Sequence, residues 1–285
     1  MKNLSKNLLL TNGVSIPWVG FGTYKATDEE AADCVKAAVE TGYRHIDTAY
    51  FYGNEAGVGR GVAQCRTEYG LKREDIFVTS KVWNTDRGYE KTLAAFEKTM
   101  ENLKLDVLDL YLIHWPAAAS QYENWEELNL GTWRAMTELY KKGRIRAIGV
   151  SNFRPHHLKA LMETEVKPMV NQIEYHPGCL QEETVRYCKE NGILVEAWSP
   201  LGRGRVLSHP VLVELAEKYQ KSTAQLCLRF CLQHGIVPLP KSVNSERIRE
   251  NGAIFDFEIS SEDMERIDNL GEFGGSGLNP DEIDF

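Results

Sequence analysis

The chain contains no stretch approaching 18 uninterrupted apolar residues, so no segment reads as a membrane-spanning helix. Its start, Met1-Lys2-Asn3-Leu4-Ser5-Lys6-Asn7, lacks the apolar run and small-residue cleavage site of a secretory signal, and a cytoplasmic location is the expectation. Basic runs interleaved with aromatics are also missing. With 33 Lys and Arg against 41 Asp and Glu, the net charge of −8 repels a phosphate backbone and argues against a nucleic-acid partner. The six cysteines, at 34, 65, 179, 188, 227 and 231, show neither zinc nor thioredoxin spacing. Cys227 and Cys231 sit one helical turn apart in an apolar stretch and read as buried thiols, so no metal is expected. No linker or low-complexity run divides the 285 residues, and one domain over 1–285 is expected.

What is present is a repeat. Eight short apolar runs, Trp18–Gly22, His45–Ala49, Ile76–Lys81, Leu110–His114, Ala147–Asn152, Val170–Glu174, Leu194–Trp198 and Ile236–Pro240, read as buried strands. Amphipathic segments lie between them. One runs from Glu29 to Thr41, opened by a capping-box pattern at Thr27 and Glu30 and stopped by Gly42; others span about 89–102, 124–142, 155–164, 182–191 and 223–234. Strands alternating with helices imply parallel pairing, and eight such units close into a TIM-type (β/α)8 barrel of the α/β class. A doubly wound open sheet is the structural rival. Leu8–Ile16, around Asn12-Gly13, reads as a hairpin plugging the bottom of the barrel, and Gly271–Phe285 as a short irregular tail packed on it.

A buried parallel strand has no use for polar residues at its C-terminal end unless they do something there. Asp47, Lys81, His114, Asn152 and Gln172 each fall within or just after an apolar run, so they should converge on one rim. Tyr52 lies in the loop five residues beyond Asp47. Taken singly, each has an ordinary structural reading; their joint placement points to chemistry. A tyrosine is a poor proton donor near neutrality, and an adjacent ammonium would lower its pKa. Lys81 can fill that role, Asp47 can keep Lys81 charged, and His114 can hydrogen-bond a substrate oxygen. The set makes general-acid machinery without a metal or covalent nucleophile.

These residues sit in the motifs GYRHIDTAYFYGNE, VTSKVWN, DLYLIHWP, GRIRAIGVSNF, VNQIEYHP, EAWSPLGRG and PLPKSVNSERIREN, which are distributed over nearly the whole chain. In order and spacing they resemble the aldo-keto reductase superfamily, and within it the prokaryotic branch that includes diketogluconate and glyoxal reductases. The resemblance implies Asp47, Tyr52, Lys81 and His114 as the catalytic residues. It implies a cofactor site in which Ser151, Asn152 and Gln172 hold the nicotinamide carboxamide and Trp198 stacks on the ring, where many family members carry tyrosine. Ser199, Pro200 and Leu201 would wrap the pyrophosphate, with Gly22, Thr23 and Asp47 also on the cofactor's side. Lys241, Ser242 and Arg247 follow the eighth strand, where barrels commonly bind phosphate, and Asn251 lies one turn beyond Arg247. Two charge-assisted contacts there, about 1.5–3 kcal/mol each, would favour NADP(H) over NAD(H).

For the substrate, Tyr24, Trp83 and Trp115, beside Tyr52 and His114, are expected at an aromatic pocket mouth, with loop 116–131 and the short tail as variable walls. The expectation is an open pocket for aldehydes, small dicarbonyls or ketones reduced to alcohols. Gly57-Val58-Gly59-Arg60-Gly61 resembles a dinucleotide loop, but its third required glycine falls on Val62. Two other readings remain open here: a cofactor-binding regulatory subunit with little turnover, and a phosphate-handling barrel isomerase or lyase. A monomer is expected.

Overall fold

The computed structural model describes residues 4, 6–283 and 285. β1 (Asn7–Leu9) and β2 (Ser15–Pro17) pair antiparallel as the predicted hairpin, with Leu8 opposite Ile16. Gly13 turns the chain at φ 82°, a conformation that a side chain resists. Asn12 Nδ2 donates to the Arg146 carbonyl at 3.0 Å, near the start of a barrel strand, so the hairpin lies at the N-terminal end of the barrel.

Eight parallel strands follow: β3 (Phe21–Gly22), β4 (His45–Asp47), β5 (Phe77–Val82), β6 (Leu108–Ile113), β7 (Ile145–Ser151), β8 (Val170–Glu174), β9 (Leu194–Trp198) and β10 (Val237–Pro238). They lie side by side in chain order. The two outer strands meet, since the Gly20 N–H donates to the Pro238 carbonyl at 3.1 Å and the Gly22 N–H to the Pro240 carbonyl at 3.0 Å. The sheet therefore closes into the (β/α)8 barrel and is not the open, doubly wound rival. A Cβ on Gly20 would stand 2.3 Å from Leu239 Cδ2 and 2.8 Å from His45 Nδ1, so a larger residue at this seam would require both side chains to shift. β3 and β10 are shorter than their apolar runs, because Pro238 and Pro240 have no N–H with which to extend a ladder.

The helices among the described residues are α1 (Asp28–Thr41), α2 (Glu55–Tyr69), α3 (Tyr89–Leu103), α4 (Trp125–Lys141), α5 (Pro155–Met162), α6 (Glu182–Glu190), α7 (Pro210–Lys218), α8 (Thr223–Gln233), α9 (Ser245–Gly252) and α10 (Ser261–Asp268). α1 carries the predicted capping box: the Glu30 N–H donates to Thr27 Oγ1 at 3.2 Å and the Thr27 N–H to Glu30 Oε2 at 2.9 Å. Gly42 ends it at φ 112°. No helix among the described residues is long and apolar enough to cross a membrane. All six cysteines are free, and Cys227 and Cys231 are buried on α8 as expected.

The run Gly57-Val58-Gly59-Arg60-Gly61 lies inside α2, where its glycines are packing surfaces. A Cβ on Gly57 would come 2.0 Å from the Asp28 carbonyl oxygen, and one on Gly59 would come 2.4 Å from that of Leu103. On Gly61 it would meet Val35 Cβ at 2.8 Å. α2 thus sits directly on α1 and on the end of α3. Helix propensity alone would favour alanine by about 1 kcal/mol, so close approach decides these positions. Gly59→Ala should lower the unfolding free energy by about 2 kcal/mol, because the Leu103 backbone has to move. A urea titration with a wild-type or higher midpoint would contradict this account of the glycines.

Candidate active site

Side chains alternate along a strand, so His45 and Asp47 on β4 share the barrel interior with Thr79 and Lys81 on β5. Lys81 is fully buried, and its Nζ donates to Asp47 Oδ1 at 2.8 Å, to Asp47 Oδ2 at 2.9 Å and to the Thr48 carbonyl at 2.8 Å. It also lies 3.4 Å from the Tyr52 hydroxyl. Tyr52 ends a short 3-10 turn, Tyr50–Tyr52, that Gly53 closes at φ 67°. The His114 ring, just past β6, stands edge-on to Tyr52 with centroids 5.7 Å apart. All four predicted catalytic side chains therefore converge, and three of them, Asp47, Tyr52 and His114, line a cavity of about 470 Å³.

Burial alone would push the Lys81 ammonium down, but the Asp47 carboxylate and Tyr52 outweigh it, and the group titrates above the ordinary lysine range. Burial and the Lys81 charge together hold His114 well below its usual value, so its ring is neutral. Tyr52 departs from the sequence reading. Burial pushes its hydroxyl up to about 12, and the opposing effect of Lys81 does not reverse this. The ammonium lowers the tyrosine only relative to what burial would impose.

Asn152 adopts a left-handed backbone at φ 64°, and this turns its amide back across the rim. Its Nδ2 donates to the His114 carbonyl at 3.0 Å and to Ser151 Oγ at 3.1 Å, while its Oδ1 accepts from Trp198 Nε1 at 2.7 Å. Ser151 Oγ donates to the Gln172 carbonyl at 2.8 Å. The indole of Trp198 is thereby fixed at the end of β9, half-buried against the cavity. Gln172 Nε2 donates to Asp47 Oδ1 and to Glu196 Oε2, both at 2.9 Å. With both amide protons on carboxyl groups, Gln172 has its Oε1 left to offer, an acceptor suited to an amide N–H. Ser199 Oγ, on a residue at φ 52°, is buried without a hydrogen-bond partner. These unused polar atoms beside a flat indole fit a nicotinamide dinucleotide.

Of the other predicted cofactor residues, Gly22, Pro200, Leu201 and Lys241 line the same cavity. Thr23 does not; its hydroxyl donates to the Asp47 carbonyl at 3.0 Å and ties the ends of β3 and β4 together. Ser242, Arg247 and Asn251 also stand back from it. Ser242 Oγ accepts from the Asn244 N–H at 3.1 Å, Arg247 is exposed on the first turn of α9, and Asn251 is buried under that helix. Sequence reasoning missed Lys25 and Arg203, which with Lys241 put three cationic side chains on the cavity wall. The signal for Arg203 was the GRG that follows Trp198-Ser199-Pro200-Leu201. Asp47 is the one acidic lining residue among the described residues, and Lys81 already neutralises it.

At the mouth, Tyr24, Trp83 and Trp115 line the cavity as expected, joined by Phe51, which stacks on Trp83 at 3.8 Å between centroids. One expectation needs correction. Loop 116–131 supplies none of the lining residues, because Asn129 and Arg87 tie it back onto the barrel: Asn129 Oδ1 accepts from the Ala117 N–H at 2.8 Å and Arg87 donates to the Pro116 carbonyl at 2.8 Å. The tail does supply wall residues as expected, since Leu278 and Phe285 both line the cavity.

The sequence reading gave no role to Glu196. It is fully buried on β9, and burial, reinforced by the nearby Asp47 charge, pushes its carboxyl up to about 8. Its Oε1 lies 3.8 Å from His45 Nε2, and burial with the Lys81 charge holds that histidine down at about 3. Both groups are therefore uncharged at neutral pH, which leaves Asp47 and Lys81 as the charged pair in the interior. An acid with a raised pKa in the fold stabilises below the unfolded value and loses that contribution as pH rises toward the folded one. Glu196→Gln should therefore gain thermal stability over wild type as pH goes from 5 to 8, by about 1 kcal/mol or more. A stability difference that stays flat across that range would refute the uncharged state.

The model of the aldo/keto reductase family matches residues 18–272. A Bacillus subtilis glyoxal reductase is 54% identical over 285 residues, covering 99% of each chain. A second B. subtilis protein, the uncharacterized oxidoreductase YtbE, is 52% identical over 285 residues with the same coverage. The crystal structure of a Bombyx mori aldo-keto reductase in complex with NADP superposes with a TM-score of 0.87 at 36% identity, covering 94% of this chain and 93% of that one. The match to the family model, the close relatives and the closed barrel agree with the seven motifs: this chain belongs to the aldo/keto reductase family, in the prokaryotic branch resembling glyoxal reductases.

Proposed function

We propose that this chain reduces aldehydes, small dicarbonyls and ketones to alcohols with NADPH, and that Tyr52 is the general acid. The observation that carries this reading is the buried Lys81 ammonium, which touches both oxygens of Asp47 and reaches toward the Tyr52 hydroxyl. A hydroxyl held up at about 12 keeps its proton throughout the ordinary pH range, so the acid form that reduction needs is always present. As that proton moves to the substrate oxygen, negative charge develops on Tyr52, and Lys81 meets it with a charge already in place. His114, neutral, retains a ring N–H with which to orient the carbonyl oxygen before transfer. When bound, the nicotinamide supplies the hydride. Trp198 offers its ring a flat face, and Gln172 Oε1 offers the carboxamide an acceptor. Lys25, Arg203 and Lys241 provide positive charge for the phosphates, and Arg247 lies nearby on α9. The 54% identity to a glyoxal reductase favours small dicarbonyls as the first substrates to try.

Two outcomes follow, both read from NADPH absorbance at 340 nm. Tyr52→Phe should lose at least about 100-fold in turnover, the low end for general-acid catalysis, while binding NADPH nearly as tightly as wild type; turnover at the wild-type rate would remove Tyr52 from the mechanism. Replacing Lys241 and Arg247 with Ala should cut the NADPH over NADH preference by roughly 10- to 100-fold. An unchanged cofactor ratio would place the 2′-phosphate elsewhere.

A further inference from the structure

Among its described residues the tail beyond α10 has no regular element, yet it crosses the C-terminal rim of the barrel at fixed points. The Phe273 N–H donates to the Gly178 carbonyl at 2.9 Å, and the Ser276 N–H donates to Glu174 Oε1 at 2.9 Å. The densest anchor is Asp281. Arg154 Nη1 donates to its Oδ2 at 2.6 Å, while His156 Nε2 and His157 Nε2 approach its Oδ1 at 2.7 and 2.9 Å. Ser120 Oγ adds a hydrogen bond to its carbonyl at 2.5 Å.

The tautomer of His157 is fixed by the fold. The Arg154 N–H donates to its Nδ1 at 3.1 Å as part of the cap of α5, so the ring proton sits on Nε2 and points at Asp281. His156, His157 and Asp281 lie within 4.8 Å of one another, close enough for metal ligands. The committed Nε2–H and the adjacent guanidinium instead make this a site that holds a carboxylate.

Four residues further on, the Phe285 ring stacks on Trp83, with centroids 5.9 Å apart and planes 3° from parallel, and meets Trp115 edge-on at 5.7 Å. Asn84 Nδ2 donates to its carbonyl at 2.8 Å. Phe285 is 50% exposed, and an exposed aromatic pair is too weak to hold an irregular tail in one place against its conformational entropy. Four residues span at most about 14 Å, so fixing Asp281 limits how far Phe285 can move from the pocket mouth.

We propose that Arg154, His156 and His157 are positioning residues for substrate selectivity: by gripping Asp281 they seat the Phe285 ring as a wall of the cavity, which admits small carbonyls and excludes bulky ones. This rests on reading the cavity as the carbonyl site. None of these residues touches the catalytic group, so the latch changes which substrates fit and leaves the chemical step alone.

The test compares kcat/KM for methylglyoxal and for 2-naphthaldehyde in wild type, Asp281→Ala, Phe285→Ala and the double variant, alongside hydrogen exchange of the tail and the NADPH Kd. Both single variants should raise the naphthaldehyde-to-methylglyoxal ratio by roughly three- to tenfold, the range of an aromatic contact, with NADPH affinity unchanged. The double variant should match Phe285→Ala within about twofold, since the latch acts through that ring. Tail exchange should accelerate in Asp281→Ala even if no carbonyl is turned over. If Asp281→Ala does not fold, Arg154→Gln combined with His156→Gln at the half-exposed partners should give the same shift. A Phe285→Ala effect that neither latch variant reproduces, or single effects that multiply in the double variant, would overturn the latch. An unchanged ratio in Phe285→Ala, in an enzyme that still turns over methylglyoxal, would overturn the ring as a selectivity wall, whereas a wild type that turns over neither carbonyl would overturn the cavity as the carbonyl site, and this proposal with it.

Discussion

The ion pair between Lys81 and Asp47 is the constraint on which the site depends. An ammonium with no solvent contact is costly to bury unless every proton finds an acceptor, and here two carboxylate oxygens and the Thr48 carbonyl provide them. Once seated, the charge settles the state of its neighbours. It adds to the burial that holds His114 neutral, and it opposes the burial that drives Tyr52 upward. A tyrosine at about 12 is a weak acid at rest, yet this is compatible with catalysis. On the proposed mechanism the ammonium would act on the anion that forms during proton transfer, so its benefit would be concentrated in the transition state and not in the resting state.

The barrel makes that pair possible. Parallel strands with alternating side chains bring Asp47, Lys81, Gln172 and Glu196 from four strands together inside the rim, with Lys81, two residues beyond the partner of Asp47, reaching back to it. Glu196 is best understood within this group. A third charge beside Asp47 would compete for Lys81, and burial prevents it by keeping the carboxyl protonated. Gln172 bridges the two acids and so faces its oxygen toward the cavity.

Much of this was legible in the sequence because strand ends in a barrel follow a period. Asp47, Lys81, His114, Asn152 and Gln172 could be placed on one rim from the apolar runs that precede them, and the capping box of α1 was legible from Thr27 and Glu30 alone. What escaped depends on contacts across the chain. Glu196 looked like an ordinary residue between apolar neighbours, since nothing local shows that its carboxyl is enclosed next to Asp47. The glycines of α2 carried a spurious motif, because close helix packing and a phosphate loop ask for the same residue. The net lowering expected for Tyr52 failed for a related reason: a sequence shows which charge is near, but not how much water has been removed.

The tail was the least legible element, and its physics differs from that of the site it borders. The proposed catalytic side chains come from strand ends and the turn after β4, and apart from the half-buried Tyr52 they are nearly or fully buried. The mouth is built from side chains such as Phe51 and Phe285, each 50% exposed and carried on a short turn or an irregular segment. Positions of the first kind tolerate little change, because moving one atom of the Lys81 pair leaves a buried charge unmatched. Positions of the second kind can be exchanged at the cost of a surface contact. On the proposed reading, chemistry and selectivity would be held by different interactions: buried electrostatics at the rim for the reaction, and half-exposed aromatics at the mouth for what reaches it.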